Sequence, residues 1–194
     1  MALLMLVGRV ALYVWGFLTI GDAVESGDVD MLTTLDDLDQ ALSVSTVVAV
    51  VVAGICWMFW QHRVARAVPG LERSPAMHAF SWIIPIGALW LPYQNVRDLW
   101  RRCVRGASTA TIRWWWAGWI TAGLIGRLTS GAAGTTDTVS GVRAVLFFGA
   151  AGALIGVVAA ALAIRIVRSV TAGTASGDFV SLSPIGSTGM PDAW

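Results

Sequence analysis

Charge is scarce in this 194-residue chain: only 13% of residues are Asp, Glu, Lys or Arg, and lysine is absent altogether. Soluble domains carry about 25% charged residues. That shortage, with 56% hydrophobic residues and a mean hydropathy of +0.69, excludes an ordinary soluble domain and points to a membrane protein. The formal net charge of +1 excludes a strongly basic chain, so nucleic acid is not an expected partner. Cysteine is nearly missing: Cys56 and Cys103 are too few and too separated for a disulfide framework or a Cys-rich metal site. Histidine stops at His62 and His78, and two such ligands without nearby Cys or acidic partners fit no structural zinc pattern. A phosphate-binding Gly loop, a Gly-x-Ser-x-Gly elbow and a His-Glu-x-x-His motif are also lacking. The residues therefore assign no catalytic, cofactor-binding or metal site, and a non-enzyme is expected.

What the chain has is apolar length. A membrane-crossing helix needs about 20 mostly apolar residues, and four stretches qualify: Ala2 to Ile20, Leu42 to Trp60, Thr111 to Leu128 and Val142 to Val167. A fifth run, Ala79 to Pro92, is shorter and holds two prolines. The first run lacks a basic stretch ahead of its apolar core and reads as a retained helix rather than a cleaved signal. Residues 1–168 then form one membrane domain. Residues 169–194, rich in Gly, Ser and Thr with Pro184 and Pro191, read as a polar cytoplasmic tail.

Charge placement orients the spans, because basic residues concentrate in cytoplasmic loops. Residues 21–41 hold Asp22, Glu25, Asp28, Asp30, Asp36, Asp37 and Asp39 and no arginine, so they are expected as an external loop. Arg63, Arg66 and Arg73 precede the fifth run, and Arg97, Arg101, Arg102, Arg105 and Arg113 follow it. A full crossing between these two basic segments would put one of them outside. A re-entrant or interfacial element avoids that cost, and broken helices are tolerated at membrane depth when buried in protein. The expected fold is all-α: four transmembrane helices, both termini cytoplasmic, and a proline-broken element over 79–105 on the cytoplasmic side. The expected location is a bacterial inner membrane.

That element is the specialised part. Pro85 and Pro92 interrupt any straight helix. Beyond them Val96, Leu99, Trp100 and Cys103 recur at helical spacing, with Arg97, Asp98, Arg101, Arg102 and Arg105 on the other face. This pattern predicts a basic amphipathic helix in the headgroup region, where anionic lipid is attracted by about 1 kcal/mol per arginine. Pro85, Leu91-Pro92-Tyr93-Gln94, Arg97 and Leu99-Trp100, with the Trp cluster at 114–116, resemble a bacterial membrane-protein family, common in actinobacteria, classified as a domain of unknown function. The resemblance covers about residues 40–168 and implies several membrane helices, a Pro-Tyr-Gln element and no known activity. Members often carry Asn where this chain has Ala88. The exclusive use of arginine over lysine fits a GC-rich genome of the same kind.

The candidate interface or lipid-contacting residues are Pro85, Pro92, Tyr93, Gln94, Arg97, Trp100, Arg101, Arg102 and Arg105. Tyr93, Gln94 and Asn95 have a second explanation, satisfying carbonyls freed by Pro92. Arg9 sits inside the first span with no carboxylate in any of the four, which favours snorkelling toward water and disfavours a proton relay. Gly152 with Gly156, and Ala122 with Gly126, are small-x-x-x-small pairs that let helices approach closely in lipid. The expected function is a non-enzymatic accessory or scaffold subunit of a larger membrane complex, respiratory or secretory, in contact with other membrane subunits. A small transporter or channel, and an anionic-lipid-binding protein, are the alternatives.

Overall fold

A computed structural model describes residues 2–106, 108–136, 138–177 and 179–180. Among them the structure is all-helical: α1 (Ala2–Ser26), α2 (Val29–Ala67), α3 (Pro75–Phe80), a 3-10 turn (Gly87–Leu89), α4 (Leu91–Cys103), α5 (Ala110–Ala133) and α6 (Val139–Ser176). Three of these, α1, α2 and α6, are long and apolar enough to cross a membrane. α6 is the central post, packed by α1 and α5 along its length and by α4 near its C-terminal end.

The acidic segment expected as a loop is instead almost wholly helical. α1 continues through Ser26, only Gly27 and Asp28 turn the chain, and α2 begins at Val29. The local chemistry explains why. Gly27 takes a left-handed conformation, φ +67°, that ends α1 without a side-chain clash. The Asp28 side chain then accepts from the Met31 amide at 3.0 Å, and Asp30 lies in the first turn where the helix dipole favours negative charge. The acids here start a helix rather than solvate a loop. At its 39 residues α2 is about 58 Å long, roughly twice the ~30 Å of a hydrocarbon core.

That extension sets a register the span assignments could not contain. α1 and α2 run antiparallel with Gly8 against Leu42 and Gly16 against Leu35, so Asp39 comes level with Arg9. The two pair at 3.6 Å, and the Arg9 guanidinium also donates to the Tyr13 hydroxyl. Arg9 therefore does have a carboxylate, supplied from just before the apolar run of α2. At the other end α6 runs past the expected start of the tail at Ser169 and stops at Ser176, capped by Gly177. Phe179 packs on the core and the Val180 amide donates to the Arg102 carbonyl at 3.0 Å. The rest of the expected tail, 181–194, lies outside the described residues.

The densest core is not midway along the long helices. It lies where α2, α4, α5 and α6 converge, built from Val64, Val96, Leu99, Trp100, Ile112 and Ile166 with their neighbours. This is the distribution expected if the long apolar helices cross a membrane. Along apolar spans, side chains face lipid with little drive to bury. Next to water the hydrophobic effect gathers a core, at about 25 cal/mol per Å² of apolar surface removed.

Candidate functional site at the arginine-rich end

Ser74 and Pro75 give α3 a standard start: the Ser74 hydroxyl accepts from the Met77 amide at 3.3 Å, and Pro75 occupies the first turn. One turn on, His78 is fully buried, with Nδ1 donating to the Ser74 carbonyl at 3.1 Å and Nε2 without a partner among the described residues. Burial lowers its pKa below the ordinary histidine value. α3 then ends, and residues 81–90 form turns around the exposed Pro85 before α4 begins.

Pro92 does not break a helix. It sits in the first turn of α4, where a missing amide costs nothing. The second explanation for Gln94 and Asn95 therefore falls, because Pro92 frees no helical carbonyl for them to satisfy. Both tie α4 to the α3 side. Asn95, fully buried, donates to the Ser81 hydroxyl at 3.0 Å and the Met77 carbonyl at 3.3 Å. Arg73 closes the network, donating to Gln94 at 2.5 Å and Asp98 at 3.2 Å, with Asn95 at 3.5 Å. Burial raises the Asp98 pKa, and the neighbouring Arg97 and Arg73 charges oppose the rise.

The apolar face of α4 also departs from expectation. Val96, Leu99, Trp100 and Cys103 do not lie on lipid; they are buried in the core against α2, α5 and α6. The apolar face of α4 is thus covered by protein. The arginines of α4 divide accordingly. Arg97 lies over the Tyr93 ring at 5.6 Å and 3.9 Å from Asp98. Arg102 donates to the Pro69 and Gly70 carbonyls, which staples α4 to the end of α2. Arg101 and Arg105 are exposed, as are Arg63, Arg66, Arg113, Arg165 and Arg168 at the same end.

Two further ties fix this platform. Trp82 donates from Nε1 to the buried Gln61 side chain at 2.9 Å, and its ring meets Trp57, Trp115, Trp116 and Trp119 at 5.9–6.5 Å. Gly173 lets α6 and α4 touch: a Cβ there would overlap the Cys103 carbonyl oxygen. Burial raises the Cys103 pKa, and its thiol sits 3.6 Å from the Thr174 hydroxyl. What the platform holds outward is apolar. Ile83, Ile86, Leu89 and Trp90 are 63–87% exposed on the turns between α3 and α4.

The sequence candidates thus fall into separate places. Pro92, Gln94, Arg97, Trp100 and Arg102 belong to the platform, Pro85 to its exposed tip, and Arg101 and Arg105 to the outer surface. Of the packing candidates, Gly156 meets Leu6 and Ala122, and Gly152 meets Ile125. A Cβ at Gly126 would meet nothing within 4 Å among the described residues, so no helix packs closely on it there. Arg73, Ser81, Gln61 and Gly173 were missed. The signal available for Gln61 was a lone carboxamide following the Trp57 to Trp60 run; Arg73 and Gly173 carried none. The model of a family described as Domain of unknown function (DUF4328) matches residues 25–172. No curated protein and no solved structure matches.

Proposed function

We propose a role for a chain that belongs to the DUF4328 family, whose description assigns no activity: it is a non-enzymatic accessory or scaffold subunit of a larger bacterial membrane complex. In this proposal α5 is a fourth span beside α1, α2 and α6, and both termini lie on the cytoplasmic side of the inner membrane. At 24 residues α5 is about 36 Å long, enough to cross. The arginine-rich end then faces the cytoplasm, in keeping with the charge rule.

The observation that supports the scaffold role is the rigid mounting of the tip. An apolar segment that only rests in lipid needs no fixed geometry, yet Ile83 to Trp90 is held by a network of buried polar side chains on one side and a tryptophan cluster on the other. Pre-organisation of this kind lowers the entropic cost of specific docking. Affinity purification in mild detergent tests it. A stoichiometric membrane partner should co-purify with the wild type and be lost with Ile86→Asn, which alters the most exposed tip residue without touching the platform. Recovery of this chain alone would refute the role.

The seven exposed arginines at the same end support a second role, contact with anionic headgroups. Arg101→Gln with Arg165→Gln and Arg168→Gln should weaken binding to anionic vesicles, and unchanged binding would refute it.

A further inference from the structure

A cavity of about 490 Å³ opens between α1, α5 and α6, away from the platform. α1 contributes Arg9 and Tyr13, α5 contributes Arg127 and Ser130, and α6 forms a floor of Gly149 and Gly152. Its volume is in the range of small-molecule sites. The helix register places it within the apolar length of the bundle: Tyr13 covers Gly149 and Ile125 covers Gly152, well inside α6.

Two guanidinium groups line this cavity. Arg9 is paired with Asp39. Arg127 is exposed and has no hydrogen-bond or ion-pair partner among the described residues. It stands six positions before Ala133 at the end of α5, where a long side chain reaches the interfacial depth at which lipid phosphates lie. The Ser130 hydroxyl beside it is likewise without a partner among the described residues. Gly123 and Gly126, on the same helix, leave the cavity open, since a Cβ on either would meet nothing within 4 Å among the described residues.

We infer that this cavity is a binding site for an anionic phosphate group, held by the forked donors of Arg127 with help from Ser130 and Arg9. A guanidinium matches two phosphate oxygens at once, which a single ammonium does not. Because the cavity lies along the apolar part of the helices, the favoured source is a phospholipid headgroup reaching in from the leaflet at the acidic end. A free phosphate has the same chemistry. The site is independent of the tip and of the scaffold role.

Native mass spectrometry on the delipidated full chain tests it, with phosphatidylglycerol, phosphatidylcholine and diacylglycerol of the same acyl chains, and inorganic phosphate as probes. Phosphatidylglycerol should bind in preference to phosphatidylcholine. Arg127→Gln should weaken it about tenfold or more, as expected for loss of a charge-assisted contact. Arg127→Lys should restore part of the loss, and Gly126→Leu should block the site. Competition by inorganic phosphate would assign the site to a free anion, and its failure to compete would assign it to the headgroup; either supports the phosphate chemistry. Binding of diacylglycerol of the same acyl chains, which lacks the phosphate, as tight as that of phosphatidylglycerol would overturn the inference. So would an unchanged Arg127→Gln variant alongside loss in Arg101→Gln, which would place the binding at the other end. The Arg127 pair keeps the test valid if Gly126→Leu does not fold.

Discussion

Replacing Asn95 by Ala removes the centre of the platform. The side chain is fully buried and gives two good hydrogen bonds, to Ser81 Oγ and the Met77 carbonyl, with a longer one from Arg73. The partners are not left bare. The Met77 carbonyl still accepts from the Ser81 amide at 3.1 Å, the Ser81 hydroxyl still donates to the His78 carbonyl at 3.3 Å, and Arg73 keeps Gln94 and Asp98. The cost is therefore two net bonds of about 1 kcal/mol each and a small cavity, about 2–3 kcal/mol together. It falls on the α3 to α4 unit, because the hydrogen bonds of the Asn95 side chain run to Met77, Ser81 and Arg73. Amide hydrogen exchange in nanodiscs reads such local opening. Amides of α3 and the first turn of α4 should exchange about 25- to 150-fold faster in Asn95→Ala, with α1 and α5 unaffected. Exchange within about threefold of wild type in α3 and α4 would show that the network holds nothing together.

Gly173→Ala should force α4 away from α6, at about 1–3 kcal/mol for overpacking; in a Cys56→Ser background, maleimide labelling of Cys103 should accelerate by about 5- to 140-fold. Acidification should destabilise the platform through His78. Its folded pKa is lowered by burial, so its contribution is present above the unfolded value near 6.5 and is lost as pH falls below that toward the folded pKa. The denaturant midpoint followed by tryptophan fluorescence should drop over that window in the wild type and not in His78→Gln. What remains in His78→Gln should have the opposite sign, because the raised Asp98 pKa gives stability that is present at low pH and lost as pH rises through it. For topology, Ser108→Cys in a cysteine-free background should resist a membrane-impermeant external thiol reagent; labelling from outside would show that the segment between α3 and α4 crosses.

The legibility of this chain followed the range of the forces involved. The apolar runs of α1, α2 and α6 were visible because length and composition are local properties. The break at Pro85 was visible for the same reason. The acidic segment resembles a charged loop in composition, whereas Asp28 and Asp30 act as helix-starting groups. α4 misleads in another way: its spacing gives the right helix and the right apolar face, but spacing says nothing about whether protein or lipid covers that face. The spacing of Ala122 and Gly126 suggests a packing pair, yet only the position of α6 shows that Gly152 and Gly156 meet other side chains while Gly126 opens on the cavity.

The sequence by itself determined the presence of helices long and apolar enough to cross a membrane, the segregation of acids from arginines, and the proline break. Each is a sum or a short-range preference along one dimension. The tertiary structure decided the rest. The antiparallel register of α1 and α2 joined Arg9 to Asp39, and the fold of α4 back onto α3 joined Asn95 to Ser81 and Arg73. The spacing of α1, α5 and α6 left Arg127 beside a cavity. These pairings depend on where helices cross in space. Residues far apart in the chain carry no mark of that until packing brings them within hydrogen-bonding distance.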